Sequence, residues 1–144
     1  MATSIQIVFD CGDPDRLAKF WASALHYKEQ DPPAGYPSWP AFLKARGVPE
    51  EEWNTASAII DPEKVGPRIY FQQMDTPKPT KNRVHLDLNI SGGSKVAIGD
   101  RMQRVNAEVE RVAGFGAAKQ RVWEEPEEYF VVMQDPEGNE FCIQ

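Results

Sequence analysis

The sequence predicts an α+β fold in which two βαβββ modules form curved, mostly antiparallel sheets around a cup-shaped cavity. Three observations predict it. The chain has 144 residues, the length of one domain. Helix-like and strand-like segments follow one another in the same order in both halves. A strand, an Asp-Pro-Glu turn with a glycine and a second strand occur twice, around Asp61 and around Asp135. We therefore expect a single domain over 1–144.

The first module is predicted to span residues 1–75. The β-prone run around Ile7 predicts a strand over about 4–10, and Asp13-Pro14 is typical of a helix start. Five apolar residues at helical spacing then predict a helix over about 14–25: Leu17, Phe20, Trp21, Ala24 and Leu25. Short strands are expected near residues 27–30, 58–60 and 68–72.

A long insertion at 32–54 interrupts the first module. Nine of the 12 prolines lie between Pro32 and Pro79, which predicts irregular structure there. Ser38 is a candidate N-cap for a short helix that runs to Arg46. Two interpretations stay open: a lid whose aromatic side chains, including Trp39 and Phe42, close over a small molecule, or a local cluster that contacts a second copy of the chain.

The second module, residues 83–144, follows a linker at 76–82. Apolar residues alternate with His85, Asp87 and Asn89, which predicts a strand over 84–90 with its apolar face, Val84 included, in the core. Residues 91–94 break that strand, and the apolar spacing beyond them predicts a helix over about 95–112 that ends at Gly114. Strands are expected near 119–123, 130–133 and 140–143.

Alternation along the strands predicts which side chains face away from the helices. Residues two apart in a strand share a face. We align the two modules so that Gln6 matches His85 and, in the last strands, Tyr70 matches Cys142. This alignment gives one polar lining. The candidate ligand-binding residues are Gln6, Val8, Tyr70, Gln72, Asp87, Asn89 and Cys142 with Trp39 and Phe42 from the insertion, and His85 is the candidate catalytic residue.

Composition restricts the partners. The 16 basic and 22 acidic residues give a net charge of −6, which disfavours nucleic acid and anionic membrane surfaces. No long apolar segment or signal peptide is evident, so we expect a cytoplasmic protein. Cys11 and Cys142 are expected to be free thiols. No glycine-rich phosphate loop occurs, and no nucleotide cofactor is expected.

Two segments resemble the glyoxalase and bleomycin-resistance proteins of the vicinal oxygen chelate superfamily: the strand at 81–88 and the closing hairpin at 135–142. The resemblance covers essentially the whole chain, and it implies paired βαβββ modules and a homodimer. Enzymes of the superfamily commonly hold a divalent metal with one residue from each first and each fourth strand. Those positions here are Gln6, His85, Tyr70 and Cys142.

Only His85 in that set is a usual ligand, since Gln6 is a weak neutral donor and Cys142 is a soft thiol in place of a hard carboxylate. We therefore expect no tightly held metal; a divalent metal on His85, Gln6 and Cys142 is the alternative. Two functions stay open. One is a binding or resistance protein for a small organic molecule, and the other is a lyase, isomerase or dioxygenase in which His85 is base or ligand.

Overall fold

A computed structural model describes residues 2–144, and the chain divides into two compact units, Met1–Pro77 and Lys78–Gln144. We call them unit 1 and unit 2. The division falls inside the predicted linker at 76–82. Each unit holds a four-stranded sheet with a long helix on one face. Across residues 2–144, no helix combines the length and apolar character needed to cross a membrane.

Unit 1 has a mixed sheet in the order β1-β4-β3-β2. β1 runs parallel to β4, and the other neighbours are antiparallel. Its elements are β1 (Ile7–Cys11), α1 (Pro14–Leu25), β2 (Lys28–Glu29), α2 (Trp39–Ala45), a 3-10 turn (Glu50–Glu52), β3 (Ala56–Ile60) and β4 (Ile69–Gln73).

α1 begins where the sequence predicts because its capping is local. The Asp13 carboxylate accepts the backbone N–H of Arg16, and Pro14 occupies the first turn. The apolar stripe of α1 packs on the sheet and is buried with Ile59, Ile69 and Phe71. Because Ile69 and Phe71 face the helix, the residues that alternate with them on β4 face the opposite side, which we call the open face.

Unit 2 repeats this arrangement with the sheet order β5-β8-β7-β6. β5 is parallel to β8, and the remaining pairs are antiparallel. Its elements are β5 (Leu86–Leu88), a 3-10 turn (Gly93–Lys95), α3 (Ile98–Ala113), β6 (Ala118–Glu125), β7 (Glu128–Gln134) and β8 (Glu140–Ile143). The core side chains are Val105, Val109, Val112, Val131, Met133, Phe141 and Ile143.

The two sheets have matching registers. Val8 pairs with Tyr70 in unit 1, and Asp87 pairs with Cys142 in unit 2. In both units the fourth strand then pairs antiparallel with the third, with Ala58 opposite Tyr70 and Val132 opposite Cys142. Both registers agree with the predicted matching of Gln6 to His85 and of Tyr70 to Cys142.

Three predicted boundaries are wrong, and one of them is the start of the first strand, which begins at Ile7 rather than near residue 4. Val84 is 79% exposed rather than in the core, and β5 begins only at Leu86. Before that point the chain is held by a side chain instead of the sheet ladder, since the Asn82 N–H donates to the Glu140 carboxylate at 3.1 Å. The helix predicted over 95–112 is α3, which begins at Ile98 rather than near 95. Gly92 and Gly93 have positive φ, and a separate 3-10 turn stands before the helix.

Candidate functional site

The open face of unit 1 carries the predicted lining residues of the first module. Val8 and Tyr70 are register partners on adjacent parallel strands, and Gln6 directly precedes β1. Val8 is 49% exposed, although it is aliphatic. Gln72 lies two residues beyond Tyr70 on the same face and is exposed. These four residues share the open face, as their alternation predicts.

A charged residue that is not among the predicted lining residues, Arg68, also lies on this face, directly before β4. Its Nε donates to the Gln30 side-chain oxygen at 2.7 Å, and its Nη1 donates to the Gln6 side-chain oxygen at 2.7 Å. Its Cζ lies 5.3 Å from the centroid of the Tyr70 ring, in cation–π geometry. The available signal was alternation, because Arg68 stands two residues before Tyr70 and must share its face.

The loop before Arg68 is built around the Asp61 carboxylate. It accepts the backbone N–H groups of Glu63, Val65 and Gly66 at 2.8–3.0 Å. The donors on Gly66 and Glu63 hold the pKa of Asp61 below its usual value. A Cβ at Gly66 would meet the Tyr27 hydroxyl oxygen, so a larger residue there would require the Tyr27 side chain to move. The capped loop brings the chain to Arg68 in a defined position.

The insertion of unit 1 folds into a cluster of aromatic side chains. Phe42 makes edge-to-face contacts with Tyr36 and Trp39, whose ring centroids are 5.0 and 5.7 Å away. Ser38 caps α2 by accepting the Ala41 N–H, as predicted. No residue of α2 is buried, and Trp39 is 37% exposed. Whether this segment is a lid or contacts a second copy stays a prediction.

One residue links the aromatic cluster to Arg68. The Trp39 indole N–H donates to the backbone oxygen of Gln30 at 2.7 Å, and the side-chain oxygen of Gln30 accepts from Arg68. Gln30 follows β2, and its own N–H is held by the Ala58 oxygen at 2.9 Å. The predicted residues Trp39, Gln6 and Tyr70 therefore belong to one connected network in unit 1.

The open face of unit 2 brings three predicted residues together. Asp87 and Cys142 are register partners, and His85 Nε2 lies 3.3 Å from an Asp87 carboxylate oxygen. One potential ligand atom from each of the three lies within 4.8 Å of the others. His85 and Asp87 are exposed, and Cys142 is half-buried. A histidine oriented by a carboxylate is the arrangement of a general base.

The Cys142 thiol is less acidic than an ordinary cysteine. Burial raises its pKa, and the charge of Asp87 together with a hydrogen bond to Asp87 raises it further. The positive charges of Lys81 and Arg121 oppose this shift, but their effect is smaller. At neutral pH the group is therefore a thiol, and the carboxylate beside it is the negative partner of the cluster.

Asn89 lies apart from this cluster, farther along the open face of unit 2. Its side-chain oxygen accepts from the Gln144 amide at 2.8 Å. Both residues line a cavity of about 460 Å³ that also includes Arg101 and Tyr129. The predicted lining of the second module is thus divided between the His85 cluster and this cavity.

The superfamily resemblance implies metal ligands in both units. The two units differ in how well their residues suit a metal ion. In unit 1, Gln6 already accepts a hydrogen bond from Arg68, and the guanidinium lies over the Tyr70 ring. A fixed positive charge beside both candidate ligands disfavours a cation. In unit 2 the nitrogen, oxygen and sulfur donors of His85, Asp87 and Cys142 suit Zn²⁺ better than Mg²⁺ or Mn²⁺. A metal there must displace the thiol proton.

Comparison with known proteins assigns the fold and the family. Among solved structures, a hypothetical protein from S. aureus is 17% identical with a TM-score of 0.57, covering 99% of this chain and 96% of that chain. A glyoxalase/bleomycin resistance protein/dioxygenase family enzyme from Burkholderia phytofirmans is 14% identical with a TM-score of 0.60, covering 96% and 94%.

The fosfomycin resistance protein FosX from Listeria monocytogenes, complexed with Mn(II) and a dihydroxypropylphosphonic acid, is 10% identical with a TM-score of 0.63. That comparison covers 100% of this chain and 92% of FosX. No curated protein matches the sequence. These neighbours show that the chain has the fold of the glyoxalase/bleomycin resistance/dioxygenase proteins. A family model described as "Glyoxalase-like domain" matches residues 6–144, and the chain belongs to that family.

Proposed function

We propose that this protein binds a small organic molecule on the open faces of its sheets and needs no tightly held metal to do so. The observation that carries the proposal is the position of Arg68. Its guanidinium engages Gln6 and Tyr70, two of the four positions at which metal-dependent relatives are expected to place ligands. The fixed positive charge of Arg68 repels metal ions, and a cation beside an aromatic ring is suited to an organic group.

The exposed apolar surface beside Arg68 supports a ligand with a hydrocarbon part. Val8 and the Tyr70 ring are neighbours in the sheet, and the aromatic cluster of the insertion is joined to them through Gln30. Ligand sites usually combine such apolar walls with a few polar groups that fix orientation.

Metal analysis tests the metal-free part of the proposal. Protein purified without chelator is expected to contain far less than one divalent ion per chain by mass spectrometry of the metals. A stoichiometric ion that is lost in His85→Ala would overturn this part. Arg16→Gln, an exposed change on α1, serves as a purification control that leaves the metal content unchanged.

A second candidate function is favoured by the cluster in unit 2. The donor atoms of His85, Asp87 and Cys142 lie within 4.8 Å of one another, close enough for a shared metal or for a base oriented by a carboxylate. In this alternative the protein is a lyase, isomerase or dioxygenase that uses His85. Turnover across a panel of small oxo and hydroxy compounds, with His85→Ala as the inactive control, distinguishes it; absence of turnover throughout leaves binding as the function.

A further inference from the structure

Arg68 is a half-buried cation whose charge no acidic side chain balances. The chain has more acidic than basic residues, and four other cations of the described part pair with carboxylates: Lys19, Lys28, Lys78 and Arg111. Within residues 2–144, no carboxylate lies within ion-pair distance of the Arg68 guanidinium. Its charge at this face is therefore available to an external anion.

The guanidinium is also held in place by groups that leave its charge intact. Both hydrogen-bond acceptors, Gln6 and Gln30, are neutral amide oxygens. An arginine has five N–H donors, and the two used here leave three, including both hydrogens on Nη2. A preorganised guanidinium with unused donors matches the paired oxygens of a carboxylate or a phosphonate.

The side chains beside Arg68 indicate what the part of the ligand other than its anionic group is like. Arg68, Tyr70 and Val8 stand on the same open face, since Val8 is the register partner of Tyr70 and Arg68 is two residues before it. The phenol ring and the exposed isopropyl group supply an apolar surface beside the cation. A molecule with an oxyanion at one end and an aromatic or aliphatic body suits this combination.

We propose that Arg68 is the receptor for a carboxylate or phosphonate group of the small molecule that unit 1 binds, and that the ligand is an organic anion. This inference rests on the proposed function, because it names the class of ligand taken by the same face. Gln6 and Gln30 are positioning residues that hold the guanidinium, and Tyr70 and Val8 contact the apolar part.

The test measures dissociation constants by isothermal titration for three probes: benzoate, phenylphosphonate and the uncharged benzamide. The wild-type protein is expected to bind both anions about tenfold or more tightly than benzamide, the size of effect typical of one charge-assisted interaction. The two anionic probes also distinguish a carboxylate from a phosphonate ligand. Added salt should weaken binding of the anions and leave benzamide unaffected.

Three variants that each lower the net charge by one make the comparison strict. Arg68→Gln removes the guanidinium and should weaken benzoate binding about tenfold or more. Gln30→Glu keeps Arg68 but gives it a carboxylate partner at the present hydrogen-bond position, so it should weaken benzoate equally while the fold is retained. Arg16→Gln, on the helix that covers the other face of the sheet, should bind as the wild type does.

The outcomes separate this inference from the proposed function. Benzamide binding as tightly as benzoate, or benzoate binding unchanged in both Arg68→Gln and Gln30→Glu, overturns the anion receptor while small-molecule binding stands. No binding of any of the three probes to the wild type overturns both. If Arg68→Gln fails to fold by circular dichroism, Gln30→Glu alone decides.

Discussion

At the scale of single residues, the same sheet position carries opposite chemistry in the two units. Cys142 in unit 2 and Tyr70 in unit 1 are register equivalents, yet the thiol lies beside the Asp87 carboxylate and the phenol ring lies under the Arg68 guanidinium. A negative neighbour suppresses thiolate formation, whereas a positive neighbour attracts anions. The duplicated scaffold therefore presents one acidic and one basic cluster.

Cys142 is expected to react slowly with iodoacetamide at pH 7.5, because the thiolate is the nucleophile and its pKa is raised by burial and by Asp87. Asp87→Asn removes the neighbouring charge, lowers that pKa and should speed alkylation about threefold or more. Peptide mapping by mass spectrometry follows Cys142 separately from the buried Cys11. Asp100→Asn, in the first turn of α3, is the matched control, and an unchanged rate in Asp87→Asn contradicts the assignment.

At the scale of elements, each unit uses an aspartate to build the turn before its last strand. Asp135 accepts the backbone N–H groups of Glu137 and Asn139 and the Asn139 side-chain amide, as Asp61 accepts three backbone donors in unit 1. The burial of the two differs, since Asp135 is only 3% exposed. In unit 2 the aspartate that organises the turn is buried, whereas in unit 1 it is partly exposed.

Asp135→Ala is expected to lower the free energy of unfolding by about 2–4 kcal/mol, because several donors lose their acceptor in a buried place. Urea denaturation measures this loss. Asp61→Ala removes the equivalent acceptor from an accessible loop, where water replaces it, and should cost clearly less. Equal losses in the two variants would show that burial of the turn does not matter.

The N-cap of α1 predicts a pH dependence. Hydrogen bonds from Asn54 and from the Arg16 backbone hold the pKa of Asp13 below its usual value. A carboxyl with a lowered pKa stabilises the fold above its ordinary pKa, and this contribution is lost as the pH falls through the lowered value. Protonation of Asp13 should therefore weaken the start of α1 in acid.

Asp13→Ala should lower the melting temperature by about 2–5 °C at pH 7, the effect of losing an N-cap worth about 1 kcal/mol. The difference from wild type should begin to shrink as the pH falls below about 4, and it should continue to shrink as the pH falls through the lowered pKa of the wild-type carboxyl. Scanning calorimetry from pH 7 to pH 3 follows it, with Asp75→Ala as an exposed control. A difference that stays constant with pH assigns the loss to something other than the charge of Asp13.

At the scale of the whole molecule, the chain repeats one unit with the same strand order and the same register. Each unit has its own core, around Trp21 and Phe71 in unit 1 and around Val112 and Phe141 in unit 2. The open faces differ far more than the cores do. Duplication therefore preserves the packing of each sheet on its helix and leaves the exposed positions to diverge in chemistry.

A homodimer is the expected assembly, as the superfamily resemblance implies and as two-fold assemblies are common. Every residue of the strand β6 is exposed, including Val122 and Trp123, and an exposed edge strand is commonly covered by a partner. Light scattering should give twice the chain mass of 16.3 kDa. A mass near that of one chain at all concentrations contradicts the expectation.

Local signals account for what could be predicted in the fold. The cap and apolar stripe of α1 predict residues 14–25, and the structure has Pro14–Leu25. The strand beginning at Leu86 was misplaced because alternation continues to Val84 although the ladder does not. In the candidate site, alternation predicted which side chains share the open faces. It did not predict that Asn89 lies with Gln144 rather than with His85.

The amino-acid sequence by itself determined the secondary structure, the duplication and the exposed faces, because caps, turns and apolar periodicity act between residues close along the chain. Only the tertiary structure decided how the polar groups are paired. Arg68 meets Gln30 and Gln6 from positions 38 and 62 residues away along the chain, so their hydrogen bonds depend on strand pairing that no local pattern encodes. Alternation places the Arg68 side chain on the open face of unit 1, and the strand pairing decides that neutral amides rather than carboxylates hold its charge there.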